Sequence, residues 1–169
     1  MAQWFDAARA TCGPTDRRRL GALSNWLAAE LALRWRPVPD RDPLPKAAAR
    51  SLIRQSLAAA REEAHLSRTF WTVAVYADLT MLDALWGPRA TEDEAREALA
   101  LYRRASDIGS EEQLQQVRDQ VTFLMAMAGT EARGRARFLR TIHDGLEAID
   151  ADVAREPGDG SEGAAPDDS

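Results

Sequence analysis

The sequence predicts an all-α helical bundle of five or six helices, on three observations. Apolar residues recur with a period near 3.6 along most of the 169 residues, and no segment alternates apolar and polar positions with period two. Proline, glycine and capping residues punctuate the chain at helix-length intervals. At 45% hydrophobic and 29% charged, a chain of this length can bury one core. The expected plan is one domain over 1–155, comprising an N-terminal helical arm (1–35), a Pro-rich connector (36–42) and a main bundle (43–155), with a disordered acidic tail over 156–169.

Each element has its own signal. Leu20, Leu23, Leu27 and Leu31 stack on one stripe at 100° per residue, which predicts a helix over about 15–35. Residues 36–45 contain four prolines and so favour an extended connector. Asp42-Pro43 reads as an N-cap and first helical residue, and the pattern then runs to Trp86, where Gly87-Pro88 stops it. One helix of that span would be roughly 65 Å long, so a bend is expected near 66–69. Thr91 with Glu94, and Ser110 with Gln113, form two capping boxes. The first opens a helix ending near Ser106; the second opens one whose face is Leu114, Val117, Val121, Leu124, Met125 and Ala128, ending at Gly129. The last helix, about 130–155, carries the stripe Phe138, Ile142, Leu146, Ile149 and Val153, with Gly134 and Gly145 flanking it for close helix approach. The tail, rich in Gly, Asp and Glu, has no large apolar residue to offset the entropy of ordering.

Composition excludes several classes of function. The most apolar run, 69–86, is interrupted by Asp78 and Asp83 and is too polar to span a bilayer. The first residues lack a basic n-region, so a cytoplasmic location without membrane contact is expected. Cys12 stands alone, closes no internal disulfide and reads as an incidental reduced thiol. The 32 alanines and 21 arginines against the single Lys46 bear the imprint of a GC-rich genome. All of the net charge of −5 lies after Arg155, and residues 1–155 balance at 22 acids and 22 bases. Basic groups gather in 1–54 and acidic ones in 55–112, a polarity that suits partner orientation better than a uniform nucleic-acid surface.

The chemistry-bearing residues are few. No Gly-rich phosphate loop, Ser/His/Asp order or Cys/His pair is present. A di-iron bundle needs two Glu-x-x-His pairs; Glu62-Glu63-Ala64-His65 supplies one, and His143 has Arg140 where the second glutamate belongs. No metal and no cofactor are therefore expected. Glu30, Glu63 and Asp78 fall inside apolar stripes, and carboxylates so placed are expected to have partners or a function. Arginines cluster at 17–19, at Arg34-Trp35-Arg36, and at Arg133, Arg135, Arg137 and Arg140.

Arg137 and His143, spaced Arg-x5-His on a helix, give the chain a feature that resembles the catalytic signature of HEPN-type ribonucleases. The resemblance implies a helical RNase acting as a dimer, with His143 as acid/base and Arg137 or Arg140 on the scissile phosphate. The reading favoured here is non-enzymatic: an interaction or adaptor protein that docks on a protein partner or on itself through Trp4, Phe5, Trp26, Arg34, Trp35 and Arg36, since Trp and Arg are enriched at interface hot spots. A small nucleic-acid-binding subunit of a nucleoprotein assembly is the third reading.

Overall fold

A computed structural model of the chain describes residues 19–128 and 133–153. Among these residues there are six helices and no strand, arranged as an all-α bundle. They are α1 (Leu20–Trp35), α2 (Lys46–Leu66), α3 (Phe70–Trp86), α4 (Glu92–Ser106), α5 (Glu111–Ala128) and α6 (Arg133–Val153). No helix among the described residues is long and apolar enough to cross a membrane. Trp4, Phe5, Cys12, Arg17, Arg18, Gly129 and the acidic tail lie outside the described residues.

The apolar helix α3 is the centre of the bundle. It buries Phe70, Val73, Ala74, Ala77, Leu79, Met81, Leu82, Leu85 and Trp86, residues that leave no solvated face over most of its length. Helices α1, α2 and α4 pack directly on it; α6 packs on α4 and α5, and α5 closes the ring against α1. The leucine stripe of α1 is fully used: Leu20, Leu23, Leu27 and Leu31 are all buried, so this helix is a wall of the bundle. The stripe of α6 is likewise buried at Phe138, Ile142, Leu146 and Ile149.

The connector is held by a carboxylate. Glu30, buried on α1, accepts the Arg41 guanidinium at 3.0 Å and the Leu44 backbone amide at 2.9 Å. This pins an otherwise extended segment, in which Asp40 adopts φ of 62°, a left-handed value that Asp tolerates. Helix α2 begins at Lys46, with Pro45 at the N-cap position, rather than at the expected Asp42-Pro43. The reason is steric: a residue preceding proline is driven out of the helical region, and Leu44 precedes Pro45.

The expected bend near 66–69 is a complete turn. Helix α2 ends at Leu66, Arg68 takes φ of 44°, and Thr69 starts α3 as its N-cap. Thr69 Oγ1 accepts the Thr72 amide and Thr72 Oγ1 accepts the Thr69 amide, so two free donors are satisfied reciprocally. Both predicted capping boxes form as well, between Thr91 and Glu94 and between Ser110 and Gln113. Gly145 seats against Leu99 of α4, as its role in close approach requires. Gly134 does not share that role among the described residues, none of which lies within 4 Å of the position its Cβ would take.

Candidate functional site

Three helices build a polar cleft around Asp78. Gly21, Ser24 and Asn25 come from α1, Trp71, Val75 and Asp78 from α3, and Gln116, Val117 and Gln120 from α5; the cleft is about 280 Å³. On α3, Trp71, Val75 and Asp78 are spaced i, i+4, i+7, so one helix face carries the rim, the wall and the floor. On α5, Gln116 and Gln120 are one turn apart and face the same space.

Asp78 is buried and has two partners. Tyr102 Oη, from α4, donates to Asp78 Oδ1 at 2.6 Å. Ser24 Oγ sits 3.5 Å from Asp78 Oδ2 and 3.1 Å from the Gly21 carbonyl, so its one proton is divided between two acceptors. Burial pushes the Asp78 carboxyl up to about 6, against the opposing pull of the Tyr102 and Ser24 hydrogen bonds. The same burial, reinforced by the charge of Asp78, pushes the Tyr102 phenol well above its usual range. Tyr102 therefore remains a donor at every physiological pH, and Asp78 is an acceptor that takes up a proton in mild acid. The Gln120 side-chain amide nitrogen is buried and has no hydrogen-bond partner among the described residues. An orphaned donor of this kind costs desolvation that a ligand acceptor would recover.

The rim is aromatic. Trp71 is 44% exposed and meets Phe70 edge-on, with ring centroids 4.9 Å apart. Its indole also borders a second, 240 Å³ cleft formed with Leu20, Ala60, Glu63 and Thr72, so apolar surface continues on both sides of the ring. Leu66 at the end of α2 and Phe123 on α5 are exposed as well.

The sequence-predicted residues are dispersed by the fold. Asp78 and Glu30 are buried with partners, as expected of carboxylates in apolar stripes. Glu63 is only half-buried and accepts a hydrogen bond from Ser67 at 2.6 Å, because it sits in the last turn of α2 where the helix meets solvent. Trp26 is 4% exposed and belongs to the core, so it cannot serve as a docking residue: α2, α3 and α5 cover both flanks of the α1 stripe. Trp35 is half-buried against the same core, and Arg36 donates to the Ala126 carbonyl, while Arg34 is exposed. Arg137 forms an ion pair with Glu92 of α4, Arg140 is exposed, and His143 has Nδ1 3.5 Å from Asp144 Oδ1. Among the described residues no group of three or more His, Cys, Asp or Glu side chains is placed to hold a metal ion.

Sequence reasoning missed Ser24, Gln116 and Gln120 as cleft residues, Tyr102 as the buried partner of Asp78, and Trp71 as the exposed rim. Asp78 carried a signal through its place in an apolar stripe; its partners come from helices that only tertiary packing brings together. Buried Arg118, which holds Asp150 at 2.7 Å and also reaches Glu147, was legible in principle, since it falls between Leu114 and Val121 on the α5 stripe.

The chain matches no known protein family, no curated protein and no solved structure.

Proposed function

We propose that this protein is a non-enzymatic helical interaction module whose working surface is the α1–α3–α5 face around Trp71. The observation that supports this reading is the exposed indole at the rim of a cleft floored by a buried carboxylate. Phe70, Trp26, Trp86 and Tyr102 are all inside the bundle, whereas Trp71 remains 44% exposed. Tryptophan in that setting is a favoured interface anchor, since its large apolar area is recovered on docking.

The chemistry of the cleft favours a cationic side chain of a protein partner. An indole face attracts an ammonium or guanidinium, the Asp78 carboxylate supplies a charge-assisted acceptor, and the amides of Asn25, Gln116 and Gln120 supply neutral contacts. A protein partner, a second copy of this chain included, comes ahead of nucleic acid because residues 1–155 carry no net charge, and phosphate-driven binding needs a basic surface.

The test is affinity capture from nuclease-treated lysate of the host, comparing the natural chain with Trp71→Ala and His143→Ala proteins. The expected result is one stoichiometric protein retained by the natural and His143→Ala chains and lost by Trp71→Ala. Capture of the same proteins by all three chains contradicts the reading, and RNA cleavage abolished by His143→Ala replaces it with the ribonuclease alternative.

A further inference from the structure

At the end of α3 farthest from Trp71, Arg135 and Lys46 share the Gly87 carbonyl, and two further arginines act electrostatically on Lys46. Arg135 of α6 donates from Nε to the Leu85 carbonyl at 2.9 Å and from Nη2 to the Gly87 carbonyl at 3.0 Å. Lys46 Nζ, at the start of α2, donates to the same Gly87 carbonyl at 3.1 Å. Arg50, one turn further along α2, and Arg34, at the end of α1, act electrostatically on Lys46. Arg50 Nε is buried and has no hydrogen-bond partner among the described residues.

Among the described residues the charges do not cancel. The C-terminal end of a helix carries roughly half a negative charge, which two bonded cations already exceed. Arg34 and Arg50 add two more, and the first turn of α2 holds no acidic residue. Glu30, one turn before Arg34, is occupied by Arg41 and the Leu44 amide. The Lys46 ammonium is pushed below its ordinary range, first by desolvation and then by Arg135, Arg50 and Arg34, and among the described residues no acidic group acts in the other direction.

We infer that Arg34, Lys46, Arg50 and Arg135 form a binding site for a phosphate group, either the free anion or the phosphate of a nucleotide. A dianion neutralises two of the four charges, and the planar guanidinium of Arg50 together with the two remaining Lys46 N–H donors matches its oxygens. A single carboxylate neutralises only one. This site stands about 24 Å along α3 from the Trp71 rim and does not rest on the interaction reading.

Lys46 is the only lysine in the chain, so its side-chain Cε–Hε resonance is a single, unambiguous reporter. Orthophosphate is titrated into the full-length protein at constant ionic strength against chloride, with adenosine monophosphate and adenosine as parallel arms. The expected result is saturable binding of both phosphates and none of adenosine, with the Lys46 pKa rising on saturation. Tighter binding of the nucleotide assigns the phosphate to a nucleotide; equal binding assigns it to the free anion. Arg34→Gln and Arg50→Gln leave both α3 carbonyls held and are each expected to weaken binding by about tenfold. Shifts that never saturate, or that persist unchanged in both variants, overturn the site. So does a Lys46 resonance that ignores phosphate but moves when Glu156, Asp159, Glu162, Asp167 and Asp168 are replaced by their amides, since the chain's own tail is then the occupant.

Discussion

Asp78 sets the energetics of the cleft through its protonation. Its carboxyl is raised from 3.8 to about 6 in the folded protein, so the folded state binds the proton more tightly than the unfolded chain does. The sign follows: Asp78 adds no cost below about pH 4, where both states are protonated, and its full cost is present above about pH 6, where the buried carboxylate is ionised. Asp78→Asn keeps an acceptor for Tyr102 and removes the charge. It is expected to stabilise the fold at pH 7.5 by about 1–3 kcal/mol, an advantage that vanishes as the pH falls through 6 to 4, measured by urea unfolding across that range. Equal stability of the two proteins at both ends of the range contradicts the assignment. Glu30 holds the connector: Glu30→Ala strands the Leu44 amide and frees Arg41, at a cost of about 2 kcal/mol by the same measurement. The placement of both acids in apolar stripes was visible in the sequence. Their partners were not, since Tyr102 lies 24 residues from Asp78, and Ser24 lies 54 residues from it.

At the scale of elements, the sequence was most informative wherever one residue's local chemistry decided the structure. Thr91-Glu94 and Ser110-Gln113 announce helix starts through side chains three residues from their targets, and both form. The α2–α3 turn was legible only as a break in an overlong helix, because its Thr69–Thr72 cap uses two threonines instead of the commoner Ser/Thr with Glu/Gln. Glycine roles depended on tertiary neighbours, and this yields a contrast. Gly134→Ala meets open space and is expected to stabilise α6 by a few tenths to about 1 kcal/mol, from helix propensity alone. Gly145→Leu drives a large side chain into Leu99, whose Cδ2 is 2.5 Å from the Cβ position, and is expected to cost about 1–3 kcal/mol. Gly109→Ala collides with the buried Phe70 ring and is expected to cost a similar amount. Thermal unfolding of the three variants checks the order, and a Gly145→Leu protein as stable as Gly134→Ala contradicts the α4–α6 packing.

At the scale of the whole molecule, the bundle is organised by its apolar third helix. Because α3 is covered by α1, α2 and α4 along most of its length, the residues it still exposes are concentrated at its start, where Trp71 stands. The sequence indicated an all-α bundle, but it assigned the docking role to Trp4, Phe5, Trp26, Arg34, Trp35 and Arg36. Periodicity within one helix locates a stripe and its flanks; which flank is covered depends on neighbours that α1 acquires only in the folded chain. Trp26 thus became core and Trp71 became surface. The most direct measurement places a photo-crosslinking amino acid at position 116, an exposed lining position of the Trp71 cleft, in the full-length chain in its host cells, with a second at exposed position 108 as the control. A crosslink from position 116, absent from position 108, to a single other protein or to a second copy of this chain is the predicted result. A crosslink confined to residues 1–18 of the same molecule, or identical products from both positions, contradicts it.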